Sequence, residues 1–269
     1  MAKLNGPGTS FKAAIISGSY QMGSFVQLPS PEIVELYGLA GFDFVVLDLE
    51  HGAYGFDHLR DMIRAAELHS VAPIVRVAEI DPSLVSRVLD LGAAGVMVPQ
   101  ISSVADLRAV LDAARYSPRG TRGYCSGVRA AGYAGAPGFT DAANKAALVI
   151  PLIENLKAVD QYDAILALDG LDAVMIGPGD LSAAMGHPGA WHSPPVSSLL
   201  DDLVSRASLS GVPVGMHVKE PVHAAAWHKK GVRFFTYGMD AQVIVQHLSR
   251  LRSDVASHIQ GSCEERGQA

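Results

Sequence analysis

Two acidic residues, Glu154 and Asp180, stand one strand–helix unit apart, each just past a short apolar run. Glu154 follows Leu148-Val149-Ile150-Pro151-Leu152-Ile153, and Asp180 follows Ala173-Val174-Met175-Ile176-Gly177-Pro178-Gly179. One stretch of helical character, Leu156 to Leu168, separates them. Successive parallel strands lie side by side, so both carboxylates should arrive at the same end of the sheet. Hard oxygen ligands that converge with positions left open suit a divalent cation such as Mg²⁺, Mn²⁺ or Co²⁺. Either acid alone reads equally well as a residue of a helix N-terminus, where carboxylates are favoured. The pair is what points to a metal.

Other residues fit the same chemistry. Arg76 interrupts the apolar run Ile74-Val75-Arg76-Val77. A buried guanidinium needs a partner, either an inward salt bridge or the carboxylate or carbonyl oxygen of a ligand. His51 follows Asp48 and Glu50. One of those acids could orient the imidazole as a general base, although a structural hydrogen bond is the plainer reading. Gly177-Pro178-Gly179-Asp180 opens a helix or a tight turn, where free backbone N–H groups could hold an anion. Asp90 lies near a helix end and, within one chain, reads as structural. Lys219 is the one lysine close to a strand end; it could form a Schiff base, though a solvated loop lysine is far commoner. His187, His192, His223 and His228 show no tight metal spacing, and Trp191 and Trp227 read as packing.

The elements that must position these groups alternate along all 269 residues. Strands are expected near Gly23–Leu28, Phe42–Asp48, Pro73–Val77, Gly95–Val98, Ala147–Ile153, Ala173–Ile176, Pro213–His217 and Arg233–Thr236. Helices are expected near Pro31–Ala40, Phe56–His69, Pro82–Leu91, Val104–Arg115, Leu156–Leu168, Val196–Ser210, Pro221–Lys230 and Ala241–Ile259. Leu107, Val110, Leu111 and Ala114 keep one helical face, and Pro31, Pro82 and Pro221 sit where helices start. Turns such as Ala40-Gly41-Phe42 and Lys230-Gly231-Val232 end a helix on glycine and enter a strand. Eight such units predict a TIM (β/α)₈ barrel; an open doubly wound sheet is the rival. No linker divides the chain, so it reads as one domain over residues 1–269, with flexible ends over 1–10 and 260–269. The segment Tyr116–Asn144 shows no strand signal, and loops of that length are often functional.

Apolar residues make up 49% and charged residues 18%, enough for a sizeable core. The net charge of −6 and the lack of any basic run beyond Lys229-Lys230 argue against a nucleic-acid partner. Two cysteines, Cys125 and Cys263, imply neither a disulfide framework nor a zinc site. The start of the chain is polar rather than a signal peptide, and no apolar run would span a bilayer, so a cytoplasmic protein is expected.

Several stretches together resemble the HpcH/HpaI family of metal-dependent pyruvate aldolases. They are the run from Ala40 through Leu47-Asp48-Leu49-Glu50-His51, Val75-Arg76, the run Leu89-Asp90-Leu91-Gly92 to Pro99, Arg115-Tyr116-Ser117-Pro118-Arg119-Gly120-Thr121-Arg122-Gly123, Ile153-Glu154, and Ile176-Gly177-Pro178-Gly179-Asp180-Leu181-Ser182. The likeness runs from about Phe11 to Leu248. It implies a TIM barrel assembled as a homohexamer, a trimer of dimers with the last helix swapped between partners. It also implies a divalent cation held by Glu154 and Asp180, and Arg76 polarising the pyruvate carbonyl. His51 would serve the acid–base step, supported by Asp48 and by Asp90 of a neighbouring subunit. One departure stands out: many of these aldolases carry Gln where this chain has Leu152, which is closer to the citrate-lyase β-like branch.

The activity so implied is reversible aldol cleavage of a 4-hydroxy-2-oxoacid to pyruvate and an aldehyde. Gly177, Pro178, Gly179 and Arg122 would contact the substrate. Arg122, Arg129 and Tyr133 in the Tyr116–Asn144 loop could contact the aldehyde half or could simply be solvated. The alternatives are another lyase or synthase on the same platform (an oxaloacetate decarboxylase, a citrate-lyase β-like enzyme), a Schiff-base aldolase using Lys219, or a barrel that binds an oxoacid without turnover.

Overall fold

We analysed the protein as a computed structural model, which describes residues 6–267 and side chains as far as Gln260. The Val- and Ile-rich runs form eight strands: β1 (Gln21–Val26), β2 (Phe44–Asp48), β3 (Ala72–Arg76), β4 (Gly95–Val98), β5 (Leu148–Ile153), β6 (Val174–Ile176), β7 (Val214–Val218) and β8 (Val232–Met239). Each pairs in parallel with the next, and β8 returns to β1, closing the TIM barrel. Before β1 runs α1 (Pro7–Ser17). Between the strands run α2 (Pro31–Leu39), α3 (Phe56–Leu68), α4 (Pro82–Asp90), α5 (Val104–Ala114), α6 (Phe139–Ala146), α7 (Leu156–Asp160), α8 (Tyr162–Leu166), α9 (Pro178–Ala184), α10 (Pro194–Ser210) and α11 (Pro221–Lys230); α12 (Asp240–Gly267) follows β8.

Strand alternation sorts the core into two layers. Phe44, Val46, Ile74, Met97, Ile150, Leu152 and Met175 fill the barrel interior. Val45, Leu47, Val75, Val96, Val149 and Ile176 point outward against the helices. The end where the strands begin is closed by α1. Phe11 and Ile15 are buried there, and the Phe11 ring centre lies 4.9 Å from that of Phe44 and 5.8 Å from that of Phe234. Gly23 and Gly215 make room for these rings: a Cβ would come within 2.4 Å of Phe44 and 2.1 Å of Phe234. Phe11→Ala is expected to destabilise the fold by about 3–5 kcal/mol, seen as a lower urea midpoint. A loss below about 1 kcal/mol would mean that α1 does not seal the core.

Some boundaries differ from expectation. Within the stretch 1–10, Pro7 to Ser10 form the first turn of α1, and residues 1–5 lie outside the described part. The single helix expected over Leu156–Leu168 is broken at Gln161, whose side-chain oxygen accepts from the Val104 N–H at 3.0 Å. The helical backbone of α12 continues to Gly267, and the placement of 268 and 269 is not described. Along α12, Val245, Leu248 and Val255 are each about 60% exposed, an uncovered apolar face. Among the described residues no helix is long and apolar enough to cross a membrane.

Candidate active site

The same alternation carries the ionisable groups to one end. Asp48 continues the inward series of Phe44 and Val46, Arg76 that of Ala72 and Ile74, and Glu154 that of Ile150 and Leu152. His217 and Thr236 hold the corresponding positions of β7 and β8, and His217 Nδ1 lies 3.0 Å from Thr236 Oγ1. All stand where the strands end, the functional face of a TIM barrel.

Arg76 and Asp48 are register partners on β3 and β2, so they meet at one height. Arg76 Nε and Nη2 donate to the two Asp48 oxygens at 2.9 and 2.7 Å, and Nη1 lies 2.9 Å from Glu50 Oε2. The Phe25 ring centre is 4.7 Å from the guanidinium carbon. Gln27 donates to Asp48 at 2.9 Å, and the backbone N–H groups of Glu50 and His51 donate at 3.1 and 3.3 Å. Burial alone would raise the Asp48 carboxyl, but Arg76 and Gln27 more than offset it and hold it below the usual range. His51 stands at the rim with its side chain 63% exposed and Nε2 4.0 Å from Glu50 Oε2.

Glu154 has the opposite electrostatics. It is buried, and its hydrogen bond is accepted from the Gln100 N–H at 2.7 Å. Gln100 presents that N–H from the left-handed region, φ 60°. Burial pushes the Glu154 carboxyl up to about 7, and the charges of Glu50 and Asp180 push the same way. Asp180 comes from the third position of α9, where Gly177 allows close approach: a Cβ there would lie 3.0 Å from Glu154 Cβ. A buried carboxylate repelled by its neighbours fits a cation site. No cluster of three or more His, Cys, Asp or Glu ligands exists among the described residues. Two carboxylates with the remaining positions open to substrate and water match the habit of Mg²⁺ and Mn²⁺.

The glycine turn offers fewer donors than its sequence promises. The Gly177 N–H is taken by Ile153 O at 3.0 Å and Pro178 has none, which leaves those of Gly179 and Asp180. Lys219 is exposed, with Nζ 4.2 Å from the Trp191 ring centre. Leu152 lies inside the barrel one inward position below Glu154, among apolar side chains. Gln27 escaped the sequence reading because it is uncharged and follows its strand; only the register of β1 on β2 sets it beside Asp48.

Asp90 and Arg122 do not join this site within one chain. Arg122 Nη2 pairs with Asp90 at 2.6 Å at the opposite end of the barrel, near Arg129 and its partner Glu67. There Arg122, Arg129 and Tyr133 border a cavity of about 350 Å³ beside Pro7 and Gly92. The Tyr116–Asn144 loop follows α5 and leads into the start of β5, so it cannot shape the mouth of its own barrel. This corrects the expectation that it would contact the aldehyde there.

A family model described as HpcH/HpaI aldolase/citrate lyase matches residues 21–246. The chain belongs to this family. It is 33% identical over 233 residues to the 2-dehydro-3,6-dideoxy-6-sulfogluconate aldolase of Pseudomonas putida, covering 87% of this chain and 91% of that one. It is 35% identical over 236 residues to the 4-hydroxy-2-oxovalerate aldolase of Novosphingobium aromaticivorans, covering 87% and 90%. The crystal structure of the citrate synthase SbnG superposes with a TM-score of 0.82 at 31% identity, covering 93% and 98%. An HpcH/HpaI barrel with aldolase relatives of this similarity is a carbon–carbon lyase.

Proposed function

We propose that this HpcH/HpaI barrel cleaves a 4-hydroxy-2-oxoacid reversibly into pyruvate and an aldehyde, with a divalent cation held by Glu154 and Asp180. The observation that carries the proposal is Glu154: a buried carboxyl that, among the described residues, no side-chain cation pairs, and that feels the charges of Asp180 and Arg76. The cation, Mg²⁺, Mn²⁺ or Co²⁺, would supply Lewis acidity toward the 2-oxo group. Arg76 is locked by its two-point contact with Asp48, so its charge is already aimed at the oxygen that becomes negative during cleavage. His51 takes the proton of the 4-hydroxyl from the rim, its backbone fixed by Asp48. Gly179 offers its N–H to the substrate carboxylate from the turn before Asp180.

Pyruvate release from a panel of 4-hydroxy-2-oxoacids tests this. Release should vanish with EDTA and return with Mg²⁺ or Mn²⁺. Metal-independent release would move the chemistry to Lys219. His51→Ala should lose turnover by about 10²–10⁴-fold with metal binding kept. Full activity in that variant would remove His51 from the proton step. A second reading, carbon–carbon bond formation by a synthase, is favoured by Leu152 beneath the metal pair and by the likeness to SbnG. It predicts product from an oxaloacetate-type donor and no aldol cleavage.

The assembly we propose is a homohexamer, a trimer of dimers with α12 swapped between partners. The exposed stripe of Val245, Leu248 and Val255 supports it, because an apolar face of that length needs a cover. Asp90 and Arg122 can serve a mouth only from a neighbouring copy of the chain. Leu248→Glu with Val255→Glu should reduce the particle in light scattering from a multiple of 28.3 kDa toward one chain. An unchanged mass would rule out α12 as the joint.

A further inference from the structure

Three carboxylates are buried among the described residues: Asp48, Glu154 and Asp240. The reaction centre uses the first two and leaves Asp240 unexplained. Asp240 stands where β8 ends and α12 begins. Its Oδ2 accepts the N–H groups of Gln27 at 3.0 Å and Leu28 at 2.8 Å, and its Oδ1 accepts that of Ala241 at 2.8 Å. A slip in the sheet delivers it there. Gly23 pairs with Thr236 but Phe25 with Met239, so β8 spends one residue more than β1 over this step. Gly238 takes the left-handed conformation at that bulge, φ 72°. The inward series of Phe234 and Thr236 resumes at Met239, which packs on the barrel interior. Asp240 is thereby turned toward the backbone that leaves β1.

That backbone carries Gln27. Tyr54 Oη donates to Val26 O at 2.9 Å, on the last residue of β1, and Asp240 holds the next two N–H groups. With its main chain held from both sides, the half-buried Gln27 keeps only its side-chain torsions free. Its Nε2 donates to Asp48 Oδ2 at 2.9 Å, the oxygen that also accepts from Arg76 Nη2 at 2.7 Å. The two Asp48 oxygens are anchored differently. Oδ1 accepts the backbone N–H groups of Glu50 and His51. Oδ2 has Gln27 as its one donor besides Arg76 among the described residues. A carboxylate fixed at one oxygen pivots about it, and the two-point pair with a guanidinium holds only while both groups share a plane. Gln27 therefore sets the plane of Asp48.

We propose that Gln27 and Asp240 are positioning residues for Arg76: Asp240 fixes the main chain of Gln27, and Gln27 fixes the plane of Asp48 and so the direction of the guanidinium. The relay rests on the reading above, in which Arg76 faces the oxygen that gains charge. It acts through Arg76, not through the cation, whose proposed ligands Glu154 and Asp180 belong to β5 and α9. A broken relay should weaken whatever binds Arg76 and spare the metal.

Oxalate is the probe, because its two coplanar carboxylates copy the oxygens of a pyruvate enolate. Calorimetry on the full-length, Mg²⁺-loaded protein gives its Kd; titration of the metal-free protein gives that of Mg²⁺. Gln27→Leu removes the amide at similar size. It should weaken oxalate by about tenfold. The kcat for pyruvate release should fall by a like factor, with Mg²⁺ affinity and the urea midpoint unchanged. Asp240→Asn sets an amide N–H against a backbone N–H and should weaken oxalate likewise; if it does not fold, Asp240→Ser takes its place. In the double variant the two losses should not add, since a relay cut at one link loses nothing more at the next. A merely structural Asp240 would lower the urea midpoint and add its effect to that of Gln27→Leu. If oxalate weakens as described but no hydroxy-oxoacid is turned over, the aldolase reading fails and the relay stands. Wild-type oxalate affinity in Gln27→Leu, additive losses, or no measurable oxalate binding by the wild type overturns the relay.

Discussion

Arg76→Lys is expected to lower kcat for pyruvate release by about 10²–10³-fold while Mg²⁺ still binds. The reason lies in the shape of the group rather than in its charge. Arg76 spans both oxygens of Asp48 with two N–H groups and reaches Glu50 with a third nitrogen. A lysine ammonium is one point and cannot bridge two carboxylates at once while facing the substrate. Asp48 is wholly buried, so it would claim that ammonium first, with Gln27 as its other side-chain donor. The oxygen that gains charge during cleavage then loses its aimed donor. Arg76→Ala is the poorer test. It leaves a buried carboxylate unpaired, which costs about 3–5 kcal/mol of stability and confuses lost folding with lost chemistry. Steady-state kinetics beside Mg²⁺ calorimetry decides the matter. A lysine variant with near wild-type kcat would remove Arg76 from carbonyl activation.

Much of this arrangement is legible in the sequence because strand alternation is a local rule. Asp48, Arg76 and Glu154 each lie an even number of residues after an inward apolar side chain; Asp48 and Arg76 end their strands, and Glu154 directly follows its own. Their convergence follows once the sheet is parallel and closed. Features that depend on pairing between distant segments are not legible. Gln27 reaches Asp48 only through the register of β1 on β2. The plug α1 depends on two apolar residues, Phe11 and Ile15, whose partners Phe44 and Phe234 lie far along the chain. The break at Gln161 comes from a tertiary contact with Val104 that no helical periodicity records. The position of the Tyr116–Asn144 loop was open to error for a simpler reason. Length marked it as functional, but the alternation of elements puts it after a helix, hence at the end of the barrel away from its own site.

The metal-free protein is expected to lose stability as pH rises from about 4.5 to about 7, and a divalent cation to restore it. Burial, and then Glu50 and Asp180, raise the folded-state carboxyl of Glu154 from 4.5 to about 7. Over that window the folded chain keeps a proton that the unfolded chain has released. Stability falls with pH wherever the folded state binds more protons. The contribution is fully present below the unfolded value and is lost as pH passes the folded one. Its full size is about 3 kcal/mol, and little solvent screening applies because Glu154 is only 5% exposed. Asp48 acts with the opposite sign and in a different window. Its carboxyl is held low, so its contribution is present above the ordinary aspartate value and is lost in acid. A cation supplies the charge that Glu154 and Asp180 lack, and it competes with the proton on Glu154. Below pH 7 the Mg²⁺ affinity should therefore weaken by about tenfold per pH unit. Urea midpoints in EDTA and in Mg²⁺ between pH 5 and 8 should diverge as pH rises. Glu154→Gln should flatten the EDTA curve, since an amide has no proton to lose. Parallel curves in the two media, or a glutamine variant that titrates like the wild type, would show that Glu154 does not carry the charge on which the proposed metal site depends.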